Sequence, residues 1–306
     1  MLFSLSVRAI FAALLLVPIL SLALSSPVDA QELEPRSFNN IPIGQTFLLA
    51  ALVRSDGELS PPGSSPLEEA ELTIDVLGVG LSRTFDFMGD SSKVDVIAGR
   101  SCYEGWGILQ GQYVEGRRCE YVDPKFKFTW NFYGAPALEI QDFSSWKQGV
   151  VVGASVAVSA PWGDYDSDQL INAGSGRWWV KPNLGMSYRT GKWQWELKGG
   201  VTLFENNDDF FTGTRMTQDP LYSTSAHVIY NLSRGWLSLD ANYFVGGRTT
   251  VEGVRIDDRQ SNSRWGLTWT RPITPKHLIK LNVNTGAVTR IGNDFDTIGL
   301  GWLYRF

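Results

Sequence analysis

Apolar and polar side chains alternate with a period of two along most of this chain, and this alternation limits the possible folds more than any other feature. The stretch from Lys125 to Phe132 places four aromatic rings on one parity and four polar side chains on the other. Successive side chains of a β-strand point to opposite faces, so such a stretch is a strand with one apolar and one polar face. Turn residues separate similar stretches at regular intervals, which predicts an all-β chain.

The connections between the predicted strands sort by length. Short connections (87–91, 190–191, 233–234 and 271–276) alternate with long polar ones (55–69, 102–123, 160–176, 205–219 and 247–261), and only 133–147 and 288–293 depart from the rule. An even number of strands with short turns at one end is typical of bacterial outer-membrane barrels, and a Greek-key sandwich does not sort its connections this way. We therefore predict a transmembrane antiparallel up-and-down β-barrel of about 12 strands. The predicted strands are 44–54, 70–86, 92–101, 124–132, 148–159, 177–189, 192–204, 220–232, 235–246, 262–270, 277–287 and 294–306.

The faces predicted to contact lipid carry no charge, as a barrel in a bilayer requires. Lys or Arg on such a face near the middle of the membrane costs about 2–4 kcal/mol. The alternating series Trp193 to Leu203, Leu237 to Val245 and Ile298 to Phe306 are free of charge, and charges fall on the opposite faces. Aromatic residues near the strand ends predict interfacial girdles. They are Trp178, Tyr188, Trp193, Tyr230, Tyr243, Trp265 and Tyr304.

Two strands carry local conflicts with this pattern. Pro182 lies inside the strand predicted at 177–189 and has no N–H for the ladder, so we expect a bulge there. The apolar face of the second strand changes parity near Leu77 to Gly80, which predicts a second irregularity.

The N-terminus has the features of an export signal. Arg8, an apolar run broken by Pro18, and the small-residue site Val28-Asp29-Ala30 predict a signal peptide, residues 1–30, cleaved after Ala30. Residues 31–43 then form an N-terminal periplasmic segment that either lies at the barrel mouth or enters the barrel as a plug, and residues 44–306 form the barrel. Export exposes Cys102 and Cys119 to an oxidising compartment, so we expect a disulfide between them.

Composition argues against several other classes of function. The net charge is −5 and no Lys/Arg-rich block occurs, so the footprint of a nucleic-acid-binding protein is missing. Only two histidines are present, which argues against metal clusters and Cys-His nucleophile pairs. His227 shares its predicted face with Ser223 and Ser225, so a lipid-modifying barrel hydrolase remains a minor alternative, although a lumen-lining histidine is favoured. We expect no catalytic site, metal or cofactor.

Polar positions on the inward parity are the candidates for lining the lumen. Charged rings tune pore selectivity, but cross-strand pairing that fills the interior is the simpler interpretation of these residues. The long loops are acidic, and their carboxylates either form a solvated rim or hold divalent cations. The lumen-lining candidates are Lys125, Lys127, Lys181, Lys198, His227, Asp240, Arg264 and Lys280.

Several motifs resemble those of the outer-membrane transporter family labelled for the meta-pathway of phenol degradation. The resemblance covers most of the chain beyond residue 30, and the cysteine pair is a departure from it. It implies an outer-membrane barrel that passes small, often aromatic or hydrophobic, compounds. The motifs are Ser159 to Asp166, Gly176 to Pro182, Asn206 to Phe211, Gly246 to Thr250, Gln260 to Arg264, Asp294 to Thr297 and Tyr304 to Phe306.

Together these features predict a passive channel in the outer membrane of a Gram-negative bacterium, with a small-molecule substrate. Barrels of 8 strands are filled by side chains and those of 16–18 strands enclose open channels, so an intermediate size predicts a narrow or gated path. A structural or adhesive barrel without transport is the main alternative. Expected partners are outer-membrane lipids, lipopolysaccharide and the barrel-assembly machinery, which the C-terminal strand ending in Phe306 would engage.

Overall fold

The computed structural model of the chain describes residues 33–60, 67–109, 111–169 and 171–306. The predicted signal peptide lies outside these ranges. Sixteen strands occur in them: β1 (Thr46–Ser60), β2 (Leu67–Phe87), β3 (Asp90–Leu109), β4 (Gln112–Tyr133), β5 (Val150–Ser159), β6 (Trp179–Thr190), β7 (Trp193–Phe204), β8 (Asn207–Phe210), β9 (Thr214–Gln218), β10 (Leu221–Asn231), β11 (Trp236–Gly246), β12 (Thr249–Val251), β13 (Val254–Arg255), β14 (Gln260–Pro272), β15 (His277–Val288) and β16 (Gly292–Arg305).

Twelve of these strands form one closed antiparallel barrel. Each pairs with its neighbours in chain order, and β1 closes the ring by pairing with β16 from Phe47↔Arg305 to Ser60↔Gly292. The remaining four, β8, β9, β12 and β13, form a small separate sheet in the connections β7–β10 and β11–β14. The predicted fold class and strand number are therefore confirmed.

The two ends of the barrel differ in the length of their connections. At the short-turn end, tight turns join β2 to β3, β6 to β7, β10 to β11 and β14 to β15, and the ladder of β1 and β16 begins there. The connection β4–β5 is the long one at this end, as predicted, and contains a single helical turn, α1 (Ile140–Phe143). In the described ranges no helix is both long and apolar enough to cross a membrane. The long-loop end carries the connection 160–178 and the small sheet.

An exposed apolar belt surrounds the outside of the barrel. Outward side chains such as Leu52, Leu81 and Leu197 are about half exposed, whereas their inward neighbours are largely buried. Aromatic pairs border this belt at the short-turn end (Trp193–Tyr230, 4.9 Å between ring centroids; Trp302–Tyr304, 6.1 Å; Tyr188–Trp195, 6.2 Å) and near the long-loop end (Phe126–Trp162, 5.9 Å; Trp162–Trp178, 6.1 Å). Such a belt with aromatic borders is the surface that a bilayer requires.

The segment 102–123, predicted as a loop, is mostly strand. β3 and β4 continue as a paired hairpin to Leu109↔Gln112, and β1 and β2 are also longer than expected. These extensions have polar outward faces because they project past the belt, so the alternation that identified strands is lost there. The disulfide Cys102–Cys119 joins directly opposite residues of this hairpin. The expected disulfide is therefore a cross-strand link within one hairpin.

Both predicted strand irregularities are wrong. Val156↔Pro182 pairs in register, and the β6–β7 ladder has the same register on either side of a gap at residues 181–182, so the missing N–H is accommodated without a bulge. β2 pairs continuously with β1 through Leu77 and Gly80. Its apolar residues change from one face to the other because Leu77 is an outward residue of the belt, whereas Leu72 lies beyond the belt and faces inward.

An outward position inside the belt should tolerate charge far less than one beyond it on the same strand. Leu81→Arg places a cation next to Leu48 and Val96, so we expect a loss of about 2–4 kcal/mol in the free energy of unfolding. Glu71→Arg is the matched control beyond the belt, because the cross-strand neighbours of Glu71 are Glu58 on β1 and Trp106 on β3. Heat-modifiable gel mobility and urea unfolding measure both, and equal tolerance would contradict the assigned belt.

The cross-strand disulfide should add stability to the extended hairpin. Closing a loop with a sequence separation of 17 stabilises a protein by about 3 kcal/mol in the chain-entropy model. We expect Cys102→Ala/Cys119→Ala to fold, with a lower urea midpoint that matches wild-type protein measured with reductant. Labelling of both thiols in protein purified without reductant would refute the bond.

Candidate functional site

One side of the barrel interior is lined by apolar side chains. Pairing of β15, β16, β1, β2 and β3 brings inward-facing positions into one continuous surface, which we call the apolar lane. Its members are half-buried except Ile97, which is 42% exposed although it lies on the inward parity. The apolar lane consists of Phe47, Leu49, Ala51, Val53, Val76, Gly78, Ile97, Leu278, Gly301 and Leu303.

The accessibility of the apolar lane shows where the interior is open. An inward side chain of a closed barrel stays accessible only where nothing fills the lumen beside it. The described part of the chain therefore leaves space along the lane. A Cβ placed on Gly78 would meet no atom within 4 Å.

The opposite side of the interior is a packed polar surface, which we call the polar wall. Its inward side chains are almost fully buried and bond to one another. Asp240 accepts hydrogen bonds from Ser238 Oγ at 3.1 Å and Thr268 Oγ1 at 2.7 Å, and its Oδ1 lies 2.7 Å from His227 Nδ1. The polar wall comprises Ser155, Ser187, Gln194, Glu196, Ser225, His227, Ser238, Asp240, Asn242, Arg264, Thr268 and Thr270.

The N-terminal segment, residues 33–45, enters the barrel, where residues 33–39 contact the polar wall and β4. The Ser37 N–H donates to Glu196 Oε1 at 2.9 Å, and Ser187 Oγ donates to the Phe38 carbonyl at 2.8 Å. Asn131 Nδ2 donates to the Asn39 carbonyl at 3.1 Å. Farther along the segment, the Ile43 N–H donates to the Leu138 carbonyl at 2.9 Å and the Gly44 N–H to the Thr84 carbonyl at 3.0 Å, both at the short-turn end.

Two glycines of the barrel make room for the N-terminal segment. Phe38 is fully buried, and its ring packs on Gly153 and Gly185, where an added Cβ would lie 2.6 and 2.2 Å from ring atoms. Leu33 reaches β14 on another side of the interior, where a Cβ on Gly266 would lie 2.6 Å from Leu33 Cδ1. The segment thus crosses the lumen and anchors through contacts that larger residues would prevent.

The structure places the eight predicted lumen-lining residues on inward faces, but in three different settings. His227, Asp240 and Arg264 belong to the buried polar wall, where Arg264 donates to Asn284 Oδ1 and to the Phe295 carbonyl. Lys125 and Lys127 are half-buried on β4, next to the lane strand β3, and Lys181 and Lys198 are half-buried on the wall strands β6 and β7. Lys280 borders the apolar lane, next to Gly301 on β16.

The N-terminal segment neutralises part of the lysine group. Glu34 forms an ion pair with Lys127, and Lys198 Nζ lies 3.4 Å from Ser37 Oγ. Lys93 on β3 pairs with Asp95 at 3.1 Å. These lysines therefore hold the segment in place in addition to lining the lumen.

The arrangement around His227 does not assemble a hydrolytic triad. Ser225 Oγ accepts a hydrogen bond from Asn242 Nδ2 at 3.1 Å, and His227 Nε2 has no hydrogen-bond partner among the described residues. A Ser-His-Asp site needs the imidazole nitrogen opposite the Asp to bond the nucleophile. The His227–Asp240 pair is instead part of the buried network of the polar wall.

The long-loop end narrows the lumen above the apolar lane. The connection 160–178 folds inward, and Ile171 packs against a buried cluster formed by Leu59, Ala70, Leu72 and Phe295. Arg177, at the end of this connection, is 2% exposed, and its guanidinium lies 4.7 Å from the Phe204 ring centroid. Burial lowers the pKa of Arg177 from its usual value to about 10, so the side chain stays charged at neutral pH.

Most of the acidic loop residues bond within their own loops. Asp166 accepts from the Asp168 N–H at 3.0 Å, Asp258 from Thr249 Oγ1 at 2.6 Å, and Asp257 pairs with Arg248 at 3.3 Å. Burial raises the pKa of Asp258. In the ranges that the structure describes, no group of three or more His, Cys, Asp or Glu is placed to hold a metal ion.

The apolar lane was not anticipated from the sequence, which led us to assign every inward face as polar. A signal for it was present: Leu72 to Gly80 carries apolar residues on both parities. We interpreted this as an irregular strand, although a strand between lipid and an apolar lumen gives the same pattern. The burial of residues 33–43 against the polar wall had no residue-level signal that we recognised.

Solved structures with the same fold are outer-membrane proteins. The COG4313 outer membrane channel from Pseudomonas putida F1 superimposes with a TM-score of 0.77 at 19% identity, covering 90% of this chain and 100% of the channel. The transport unit of the Escherichia coli autotransporter AIDA-I gives 0.51 at 13% identity, covering 92% and 95% of the two chains. The translocator domain of NalP from Neisseria meningitidis gives 0.51 at 10% identity, covering 88% and 90%.

Sequence comparison gives the family directly. A search of curated proteins found no match. The family model described as "Putative MetA-pathway of phenol degradation" matches residues 110–297, which is more than half of the chain. The match covers β4 to β15 and the first six residues of β16, including the polar wall. The chain belongs to this family, and its fold is that of an outer-membrane β-barrel.

Proposed function

We propose that this protein is a passive channel of the Gram-negative outer membrane that passes small apolar or aromatic compounds through its lumen. The observation that carries the proposal is the accessible apolar lane on one side of the barrel interior, since the opposite side is filled by the buried side chains of the polar wall. Such a lane offers apolar solutes a surface that water-filled porin channels lack. The name of the Pseudomonas putida channel and the description of the family agree with a transport role.

The proposal includes an orientation and a set of partners. The short-turn end faces the periplasm, as in bacterial outer-membrane barrels generally, so that the N-terminal segment enters the lumen from that side. A signal peptide cleaved after Ala30 directs export. Lipopolysaccharide surrounds the long-loop end, and the exposed terminal Phe306, 5.1 Å from the Tyr304 ring, is the feature that the assembly machinery would engage.

Filling the apolar lane should block transport without harming the barrel. Gly78 faces the lane, where an added Cβ would meet no atom within 4 Å, and Gly199 faces lipid, where the nearest atom to an added Cβ is the Ser223 carbonyl oxygen at 4.0 Å. We expect Gly78→Phe to lower uptake of radiolabelled benzyl alcohol, in porin-deficient cells expressing the protein, to the level of cells without it. Gly199→Phe should transport like wild type.

Heat-modifiable mobility of both variants in outer-membrane fractions controls for assembly. If folded wild-type protein gives no more uptake than the empty vector, the channel function is wrong and a structural barrel is favoured. If Gly78→Phe transports as well as wild type, the lane is not the path.

Displacing the N-terminal segment should have the opposite effect. Gly185→Leu would force the Phe38 ring from its place on β6, because even a Cβ at this position lies 2.2 Å from that ring. We expect a larger single-channel conductance in planar bilayers, by several fold. An unchanged conductance in a folded Gly185→Leu variant would contradict a pore-narrowing position for residues 33–45.

A further inference from the structure

The charged side chains on the inward faces along most of the apolar lane are positive. On the inward parity of β15, β16 and β1, and of β2 from Ala70 to Thr84, the described positions include no Asp or Glu, but they include two cations, Lys280 and Arg305. Neither side chain forms an ion pair or hydrogen bond with any side chain in the described ranges. The lane therefore combines apolar surface with positive charge that the surrounding chain does not neutralise.

Lys280 stands where a bound solute would meet it. It is the fourth residue of β15, cross-strand from Gly301 and Thr270, and its side chain is half-buried on the lumen side. Gly301 pairs in turn with Ala51 of β1. With adjacent strands about 4.8 Å apart, an aromatic ring lying over these two positions would hold its substituent within reach of the Lys280 ammonium.

Three carboxylates inside the barrel are already engaged with other side chains. Asp95 on β3 pairs with Lys93, Glu34 pairs with Lys127, and Asp240 is buried among its hydrogen bonds to the polar wall. On the far side of the lane, Lys125 of β4 is the cross-strand partner of Ile97, and its Nζ lies 5.9 Å from the Trp179 ring centroid. A narrow lumen with low-dielectric walls strengthens the field of such charges and concentrates anions.

We propose that the lane takes small amphipathic anions, with aromatic carboxylates as the fitting class, and that Lys280 is the residue that selects the negative charge. The apolar side chains bind the ring, and Lys280 with Arg305 compensates the carboxylate along the path. This inference rests on the proposed channel function and narrows its substrate. An uncharged aromatic compound would use the same surface without the charge interaction.

Reversal potentials in planar bilayers test the charge preference directly. With a sodium benzoate gradient across wild-type channels we expect benzoate to be more permeant than sodium, and more permeant relative to sodium than acetate is. Lys280→Met should lower the benzoate-to-sodium permeability ratio several fold, and Lys280→Arg should retain it. Lys147→Met is the matched control, since it removes a charge from the exposed β4–β5 connection and should leave the ratio unchanged.

The outcomes separate this inference from the channel function. A wild-type preference for sodium, or a benzoate preference that is unchanged in Lys280→Met, overturns the anion selection. Transport of benzyl alcohol is measured separately and tests the channel function by itself. A benzoate ratio no greater than that for acetate removes the role of the apolar surface. Folded channels that carry no ion current and no benzyl alcohol refute both proposals.

Discussion

Closure of the sheet by β1 and β16 is the constraint on which the rest of the structure depends. In the hydrocarbon region an unpaired backbone group costs several kcal/mol, so an open edge is not tolerated and the first and last barrel strands must pair. They do so along their length, from Phe47↔Arg305 to Ser60↔Gly292. Once the ring is closed, side-chain alternation separates every strand into a lipid-facing and a lumen-facing parity. The apolar belt, the polar wall and the apolar lane all follow from that separation.

Contact with lipid requires apolar residues only on the outward-facing positions. Apolar residues on the lumen-facing positions therefore need a separate explanation. The polar wall is explained by packing, because its buried groups bond to one another and to residues 33–45. The apolar lane has no such explanation. Leaving apolar surface accessible forgoes about 25 cal/mol for each Å² that burial would have gained, and polar residues would serve the barrel equally well there. A surface for apolar solutes accounts for this arrangement of Leu49, Val53, Val76 and Leu303.

Alternation predicts a strand only where its two faces meet different surroundings, and this explains which features could be predicted. Strands in the belt, such as β7 and β11, were predicted nearly to their ends. The outer parts of β3 and β4 have polar outward faces and resembled a loop, and β2 resembled an irregular strand because its inner face is apolar as well. The inward parity of Lys280 followed from the pattern, but its place beside the lane depended on the strand register, which sets the neighbours of each residue across the sheet. The position of Phe38 against Gly153 and Gly185 depended on distant contacts that no local pattern encodes.

The division of the lumen into a filled half and an open apolar half is tested most directly by locating an apolar probe in crystals of the protein. Bromobenzene is suitable because anomalous scattering identifies bromine without ambiguity. The account predicts bromine peaks inside the barrel against the apolar lane, near Ala51 and Gly78, and their loss in Gly78→Phe crystals. Peaks confined to the lipid-facing surface, or a lumen in which protein side chains fill the space beside Ala51 and Gly78, would contradict it.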